Sequence, residues 1–322
     1  MKKFAKNLES KILITGSSGL VGSHLMDLIN DYGFKNILNP RSSELNLLDL
    51  NSTIEYFKKN KPEYVINMAG KVGGILSNKN FPGDYYFENS LINTHMYDVC
   101  AKHGVKRLIS LGAGCGYPLS AKEPLREESI FDGIPQGESW AYSSVKKMLI
   151  VQAEAYKKQY NLSSTVLIPS NIYGEYDNFD LDDSHVIPAL VRKFYEASIG
   201  KYSSVKVWGD GEAARDFVHA KDVANASIHY LFNTDYCGSV NIAFGKQYKI
   251  KEVLDMLNNI VPEPLEIEYQ VNMPSGQLSR EFFVEKSKDL IPEFTVDIDL
   301  QKGLELTLSW LSDNYDNKST RL

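Results

Sequence analysis

Cysteine is scarce in this 322-residue chain. There are three, Cys100, Cys115 and Cys237, far apart and without a CxxC or Cys/His ligand spacing. That excludes a disulfide scaffold, gives no sign of a structural zinc and suits a reducing cytoplasm. Long hydrophobic runs are missing too. No stretch approaches the roughly 18 apolar residues of a membrane helix. The N-terminus, MKKFAKNLES, is basic but lacks the apolar segment of a secretory signal. Residues 1–10 therefore read as a short leader before the first strand, and no membrane partner is expected. Positive charge is not in excess: 35 Lys+Arg against 41 Asp+Glu leave a net charge of -6. That argues against nonspecific nucleic-acid binding. It also means that a phosphate-bearing ligand would need a local cluster of cations. Repeats and low-complexity stretches are absent.

What is present is an alternation of strands and helices. Lys11–Thr15 (KILIT) reads as a buried strand, followed by a glycine turn and a helix over Leu20–Asp31. Ile37–Leu38, Tyr64–Asn67, Arg107–Ser110 and Ser164–Ile168 are further strands. Helices are expected around Thr53–Lys59, over Asn89–His103 with Gly104 as its cap, and over Ser139–Tyr160. This rhythm predicts an α/β fold with a doubly wound parallel sheet, the Rossmann arrangement. After Pro169 the rhythm breaks. Loop-rich sequence runs to about Gly211, then come Val205–Val207, a helix at Val223–Phe232, a strand at Val240–Ala243 and a closing helix, Leu300–Asn314. The length suits one large domain with a smaller one attached. The expected division is a cofactor domain, residues 1–170 and 216–245, and a mixed α/β substrate domain, residues 171–215 and 246–322.

The turn ITGSSGLVGSH places Gly16, Gly19 and Gly22 three apart, after a strand and before a helix. Gly16 permits the sharp turn, and Gly19 lets backbone approach a pyrophosphate that the helix N-terminus stabilises. Enzymes that use NAD carry an acid at the end of the second strand for the ribose hydroxyls. Here that stretch, ILNPRSSE, offers Asn39 and Arg41 and no acid until Glu44. An arginine suits a 2′-phosphate, so the expected cofactor is NADP(H). Further on, SWAYSSVKK puts Tyr142 and Lys146 at i and i+4 on one helix face. Lys146 would lower the phenol pKa, and Tyr142 would exchange a proton with a carbonyl or alkoxide while hydride passes.

With these motifs the sequence resembles the extended short-chain dehydrogenase/reductases. More closely it is similar to the GDP-L-fucose synthase family, bifunctional 3,5-epimerase/4-reductases of GDP-4-keto-6-deoxymannose. The most specific pieces are AGKVGGI (69–75), GCGYP (114–118), PSNIYGEYDNF (169–179), SHVIPAL (184–190) and VWGDGEAARDFVHAKDVA (207–224). The resemblance implies that Cys115 and His185 are the epimerisation acid/base pair and that Tyr142 and Lys146 are the reductase pair. It implies cofactor contacts from Gly16, Ser18, Gly19, Leu20, Val21, Gly22, Arg41, Ala69, Lys146, Pro169 and Asn171. Asn171, Lys193, Trp208, Arg215 and Arg280 would hold the substrate, a GDP-linked 4-keto-6-deoxy sugar, with Arg192 beside the cations. A homodimer through Asn89–His103 and Ser139–Tyr160 is expected.

One position departs from the pattern. The family carries Ser or Thr four residues before the tyrosine of its SSCxYP-like motif, and here that residue is Ala113. Losing one donor to a developing oxyanion typically costs about 10²–10³ in rate. Either Ser143, Ser170 or a water replaces it, or the protein is a redox-silent 3,5-epimerase. A plain 4-reductase and a catalytically dead NADP-binding scaffold also fit the sequence. The glycine-rich stretch 112–116 is also expected to leave room for a larger sugar, such as a heptose. A 4,6-dehydratase needs an Asp-Glu pair where Gly114 and Cys115 stand.

Overall fold

The computed structural model describes residues 4–135, 137–272 and 278–322. The first half runs β1 (Lys11–Thr15), α1 (Leu20–Tyr32), β2 (Asn36–Leu38), α2 (Leu50–Asn60), β3 (Tyr64–Asn67), α3 (Ile75–Asn80), α4 (Pro82–Lys102), β4 (Arg107–Leu111), α5 (Trp140–Tyr160) and β5 (Ser163–Pro169). The second half runs β6 (Asn171–Tyr173), α6 (Val186–Ser198), β7 (Ser204–Trp208), β8 (Ala214–His219), α7 (Ala220–Phe232), β9 (Gly238–Ile242), β10 (Gln247–Lys249), α8 (Ile250–Ile260), β11 (Glu266–Gln270), α9 (Glu285–Leu290) and α10 (Leu300–Asn314).

Six strands form one parallel sheet in the order β2-β1-β3-β4-β5-β9. Its strands are apolar on both faces because helices cover both. Ile12 and Ile14 point into a core shared with α1 and α7, and Leu13, between them, points into a second core shared with α2, α4 and α5. The carboxyl ends of β1, β3, β4 and β5 line one rim, where ligands of open α/β sheets bind. The remaining strands form two small sheets, β10-β8-β6 and β11-β7, and with α6, α8 and α10 enclose a third core around Phe179, Phe194 and Leu304.

Some elements differ from the sequence reading. α4 starts at Pro82, not Asn89, with proline in the first turn where its missing N–H costs nothing. Gly104 follows that helix with φ +73°, in the left-handed role expected of it. The loop-rich stretch before Gly211 contains α6, which buries Ile187, Leu190, Val191 and Phe194 along one face. Pro188 sits in its first turn, where no intrahelical N–H bond is lost. The leader is anchored from Phe4 onward: Phe4 is buried against Tyr32 and Phe232. Residues 1–3 lie outside the described residues. Phe282, Ile291 and Phe294, from the stretch assigned to the substrate domain, are buried in the two cores that flank the large sheet.

Candidate functional site

At the cofactor end, the protein itself explains two of the three glycines. Gly16 has φ +69°, and a Cβ there would lie 2.7 Å from the Met68 carbonyl carbon. A Cβ on Gly22 would lie 2.1 Å from the Gly16 carbonyl oxygen. Gly19 is different: its nearest neighbour would be at 3.4 Å. It caps α1 without a side-chain hydrogen bond, and no acid sits in the first turn. The open backbone and free helix donors fit a pyrophosphate. Ser18, Leu20 and Val21 belong to this turn and the start of α1. Arg41 lies exposed in the turn after β2, its backbone N–H held by Glu44 at 2.9 Å, its guanidinium unpartnered among the described residues. A 2′-phosphate would give it a partner. Ala69 follows β3, in a loop pinned by Asn89. Asn89 accepts from the Lys71 N–H at 3.1 Å and donates to the Lys71 carbonyl at 3.0 Å. Sequence reading missed Asn89 as a site residue, because only the fold brings it to this loop.

α5 carries Tyr142 and Lys146 on one face. The Lys146 ammonium lies 5.7 Å from the Tyr142 ring centroid and donates to the Leu111 carbonyl, at the end of β4, at 2.9 Å. Burial pushes Lys146 down to about 8, with Cys115 acting in the opposite sense. Burial also pushes the Tyr142 phenol well above its usual range, reinforced by Cys115 and Tyr85. The lowering expected from Lys146 is not seen at Tyr142; burial sets the direction. Cys115 sits in a single 3-10 turn, Gly114–Gly116, packed on α5. Burial raises its thiol, while a hydrogen bond from Ser143 and the charges of Arg280 and Lys146 act to lower it. Tyr142, Lys146 and Arg280 thus all lie within electrostatic reach of Cys115.

His185 sits on another element, beside Asp177. It is exposed at the N-cap of α6 and makes no side-chain cap bond. Its loop reaches Tyr142 indirectly. Asp183 accepts from the Gly74 N–H at 2.9 Å, a Cβ on Gly73 would meet the Tyr85 hydroxyl at 2.0 Å, and the Tyr85 ring packs edge-on against Tyr142 at 6.3 Å. Asn171 opens β6 just beyond Pro169, the last residue of β5.

Two expectations about the Ala113 turn are corrected. The room predicted beside Gly112–Gly116 is filled by the protein. A Cβ on Gly112 would lie 3.1 Å from Val166, and one on Gly114 would lie 2.6 Å from the end of the Phe282 ring. The space beside Gly112 and Gly114 is thus taken by Val166 and Phe282. Ser170 is not free to replace the missing hydroxyl, since it donates to Asp216 at 3.0 Å. Ser143, fully buried and bonded to Cys115, is the remaining side-chain hydroxyl of the expected sources.

The cations divide. Arg215, on β8, and Arg280 are close enough that burial and the charge of Arg280 both push Arg215 below its usual range, with Glu123 opposing. Arg280 donates to the Tyr117 carbonyl at 3.3 Å and borders a cavity of about 320 Å³ with Pro118, Leu119, Glu123 and Leu278. Lys193, on α6, donates to the Lys206 carbonyl at 2.9 Å, on the strand that ends with the exposed Trp208. Arg192 turns away to Glu196 and the Phe179 carbonyl, so it does not join the cluster.

Comparison with known proteins agrees with this architecture. The NAD dependent epimerase/dehydratase family matches residues 12–243. A putative GDP-L-fucose synthase 2 of Arabidopsis thaliana is 33% identical over 98% of this chain and 95% of its own length. The crystal structure of a GDP-6-OMe-4-keto-L-xylo-heptose reductase from C. jejuni superposes with TM-score 0.87 at 28% identity, covering 95% of this chain and 99% of that one. A GDP-L-fucose synthetase from Naegleria fowleri bound to NADP superposes with TM-score 0.90 at 25% identity, covering 98% and 96%.

Proposed function

The chain belongs to the NAD dependent epimerase/dehydratase family, and on that premise we propose that it is an NADP(H)-dependent 3,5-epimerase/4-reductase of a GDP-linked 4-keto-6-deoxy sugar, hexose or heptose. The observation that carries the reading is the gathering of Tyr142 and Lys146, 5.7 Å apart on one helix face, with Arg280 around Cys115 at the carboxyl rim of the sheet. A 4-keto group acidifies the protons on carbons 3 and 5. Cys115 and His185, whose ordinary pKa values bracket neutrality, take one of these protons and return it from the other face. Tyr142 donates a proton to the oxygen on carbon 4, with Lys146 beside it, while Arg215 and Arg280 hold the diphosphate. Bound NADPH supplies the hydride. Residues 1–170 and 216–245 serve the cofactor, and residues 171–215 and 246–322 the sugar nucleotide.

Ala113 favours a second reading, a 3,5-epimerase that holds NADP without using it, because no side-chain hydroxyl stands at that position. One experiment separates the two. The protein is incubated with a GDP-4-keto-6-deoxy sugar in D₂O, with and without NADPH. Deuterium at carbons 3 and 5 together with NADPH consumption supports the bifunctional enzyme. Deuterium alone supports the epimerase, and consumption alone a plain 4-reductase that retires Cys115 and His185. Neither signal, with NADPH bound, supports a scaffold.

The working form is proposed to be a cytoplasmic homodimer. Among the described residues no helix is long and apolar enough to cross a membrane, and the three cysteines are unpaired. α4 and α5 pack side by side and leave Tyr86, Phe87, Met148 and Val151 exposed, an apolar face suited to a second copy.

A further inference from the structure

Away from the site just described, three buried ligating atoms converge. They are His24 Nε2 on α1, Glu175 Oε2 in the turn after β6, and His219 Nε2 at the N-cap of α7. The Glu175 oxygen lies 2.9 Å from the His219 nitrogen and 3.5 Å from the His24 nitrogen, and the three atoms lie within 4.8 Å of one another. His24 is 4% exposed and His219 0%. The Glu175 carboxylate pairs with His219 and faces His24, yet none of the three atoms has a well-directed hydrogen bond among the described residues. A single buried polar atom left unpartnered is costly. Three that face one another are explained together by a group that accepts a lone pair from each.

The surroundings point the same way. Tyr176 packs edge-on against His24 at 5.2 Å, and Tyr173 against His219 at 5.3 Å. Rings around a polar cluster exclude water, as the shell of a metal site does. The backbone is held in place at a cost. Tyr176 has φ +69°, a left-handed conformation that a bulky residue keeps only where its surroundings demand it. On the other side of Glu175, Gly174 has φ +150°, and a Cβ there would lie 3.1 Å from His219 Nε2 and 3.4 Å from His24 Nε2.

We propose that His24, Glu175 and His219 bind one divalent transition-metal ion, zinc foremost. Two imidazoles and a carboxylate are the donor set of borderline cations, whereas magnesium and calcium take oxygen alone. The carboxylate offsets part of the metal's charge, and water completes the coordination. His219 must release one contact: its Nδ1 accepts the Lys221 N–H at 3.3 Å, and ligation through Nε2 moves the ring proton to Nδ1. That is a long hydrogen bond, and a metal–nitrogen bond replaces it. The ion would clamp α1, the first helix of the large sheet, to the turn that leads into Asp177–Phe179 and to the start of α7. This assignment does not depend on the sugar reaction.

The test uses the full chain, stripped with a chelator and titrated with Zn²⁺ against a chromophoric competitor. One equivalent should bind tighter than about 1 μM, and Zn²⁺ should raise Tm by several degrees. Co²⁺ should give visible bands without the near-ultraviolet charge transfer of a thiolate. His24→Ala and His219→Ala should each weaken binding at least about 100-fold, with folding checked by circular dichroism, while Cys115→Ser and His185→Ala keep the equivalent. If a histidine variant fails to fold, the wild-type Tm shift and the Co²⁺ spectrum decide. The proposal is overturned by the absence of stoichiometric binding, by an equivalent that survives both histidine substitutions, or by a thiolate band in the Co²⁺ spectrum.

Discussion

The turns Gly16–Gly22 and Gly112–Gly116 each follow a buried parallel strand, and each is rich in glycine, yet their glycines meet different neighbours. At the first turn, Cβ atoms on Gly16 and Gly22 would strike backbone of the turn itself or of the loop after β3, and one on Gly19 would make only ordinary contact, at 3.4 Å. At the second, the added Cβ atoms would meet side chains as well as backbone from distant segments: Val166, Ile168 and the Leu167 and Pro169 carbonyl oxygens on β5, and Phe282 from beyond α8. The cofactor end is thus closed by backbone alone and leaves one uncrowded position, Gly19. The sugar end is assembled from long-range packing. A turn of the first kind announces its ligand in a short motif, and a turn of the second kind does not.

The largest expected effect comes from separating the glycines of the first turn. Gly22→Ala should cost about 3 kcal/mol of stability, because backbone cannot move aside as a side chain can. Gly19→Ala should leave the urea midpoint unchanged but weaken NADPH binding at least about tenfold, measured by fluorescence titration. Equal destabilisation by both would break the comparison. Next is Arg41→Ala, which removes a charge-assisted contact of about 1.5–3 kcal/mol. NADPH affinity should fall by about 10- to 100-fold with NADH affinity unchanged.

Lys146 gives a pH dependence of opposite sign in two measurements. Its folded pKa is lowered to about 8 from 10.5, so between these values the unfolded chain binds more protons. Its contribution to stability therefore rises with pH across that window. Carbon-4 reduction, which needs the ammonium, should fall as pH rises through about 8. The smallest expected effect is Gly114→Ser. It crowds the Phe282 ring and should cost about 1–3 kcal/mol, recovered in part by adding Phe282→Leu, as read from urea midpoints.

The large sheet was legible because its information is local. Ile12, Leu13 and Ile14 mark a strand covered on both faces, and the glycine spacing with Tyr142 and Lys146 marks the rim where ligands gather. α6 was missed because the whole stretch after Pro169 was read as loop, although Ile187, Leu190, Val191 and Phe194 form an apolar stripe and Pro188, in the first turn, is harmless. The space beside Ala113 was misjudged because Phe282 arrives from far along the chain. Asn89, Asp183 and the His24, Glu175, His219 group were invisible for the same reason. Each draws on segments that only the fold brings together, and no ligand spacing in sequence marks them.

The central claim is that one site performs two separable reactions, proton exchange by Cys115 and His185 and carbon-4 reduction through Tyr142. The most direct measurement gives Cys115→Ser and Tyr142→Phe the same GDP-4-keto-6-deoxy sugar, NADPH and D₂O, and follows deuterium and NADPH together. The account predicts a crossed result. Cys115→Ser loses deuterium at carbons 3 and 5, and Tyr142→Phe keeps it while NADPH consumption falls by about 10² or more. Loss of both signals in both folded variants, or of neither, would contradict it.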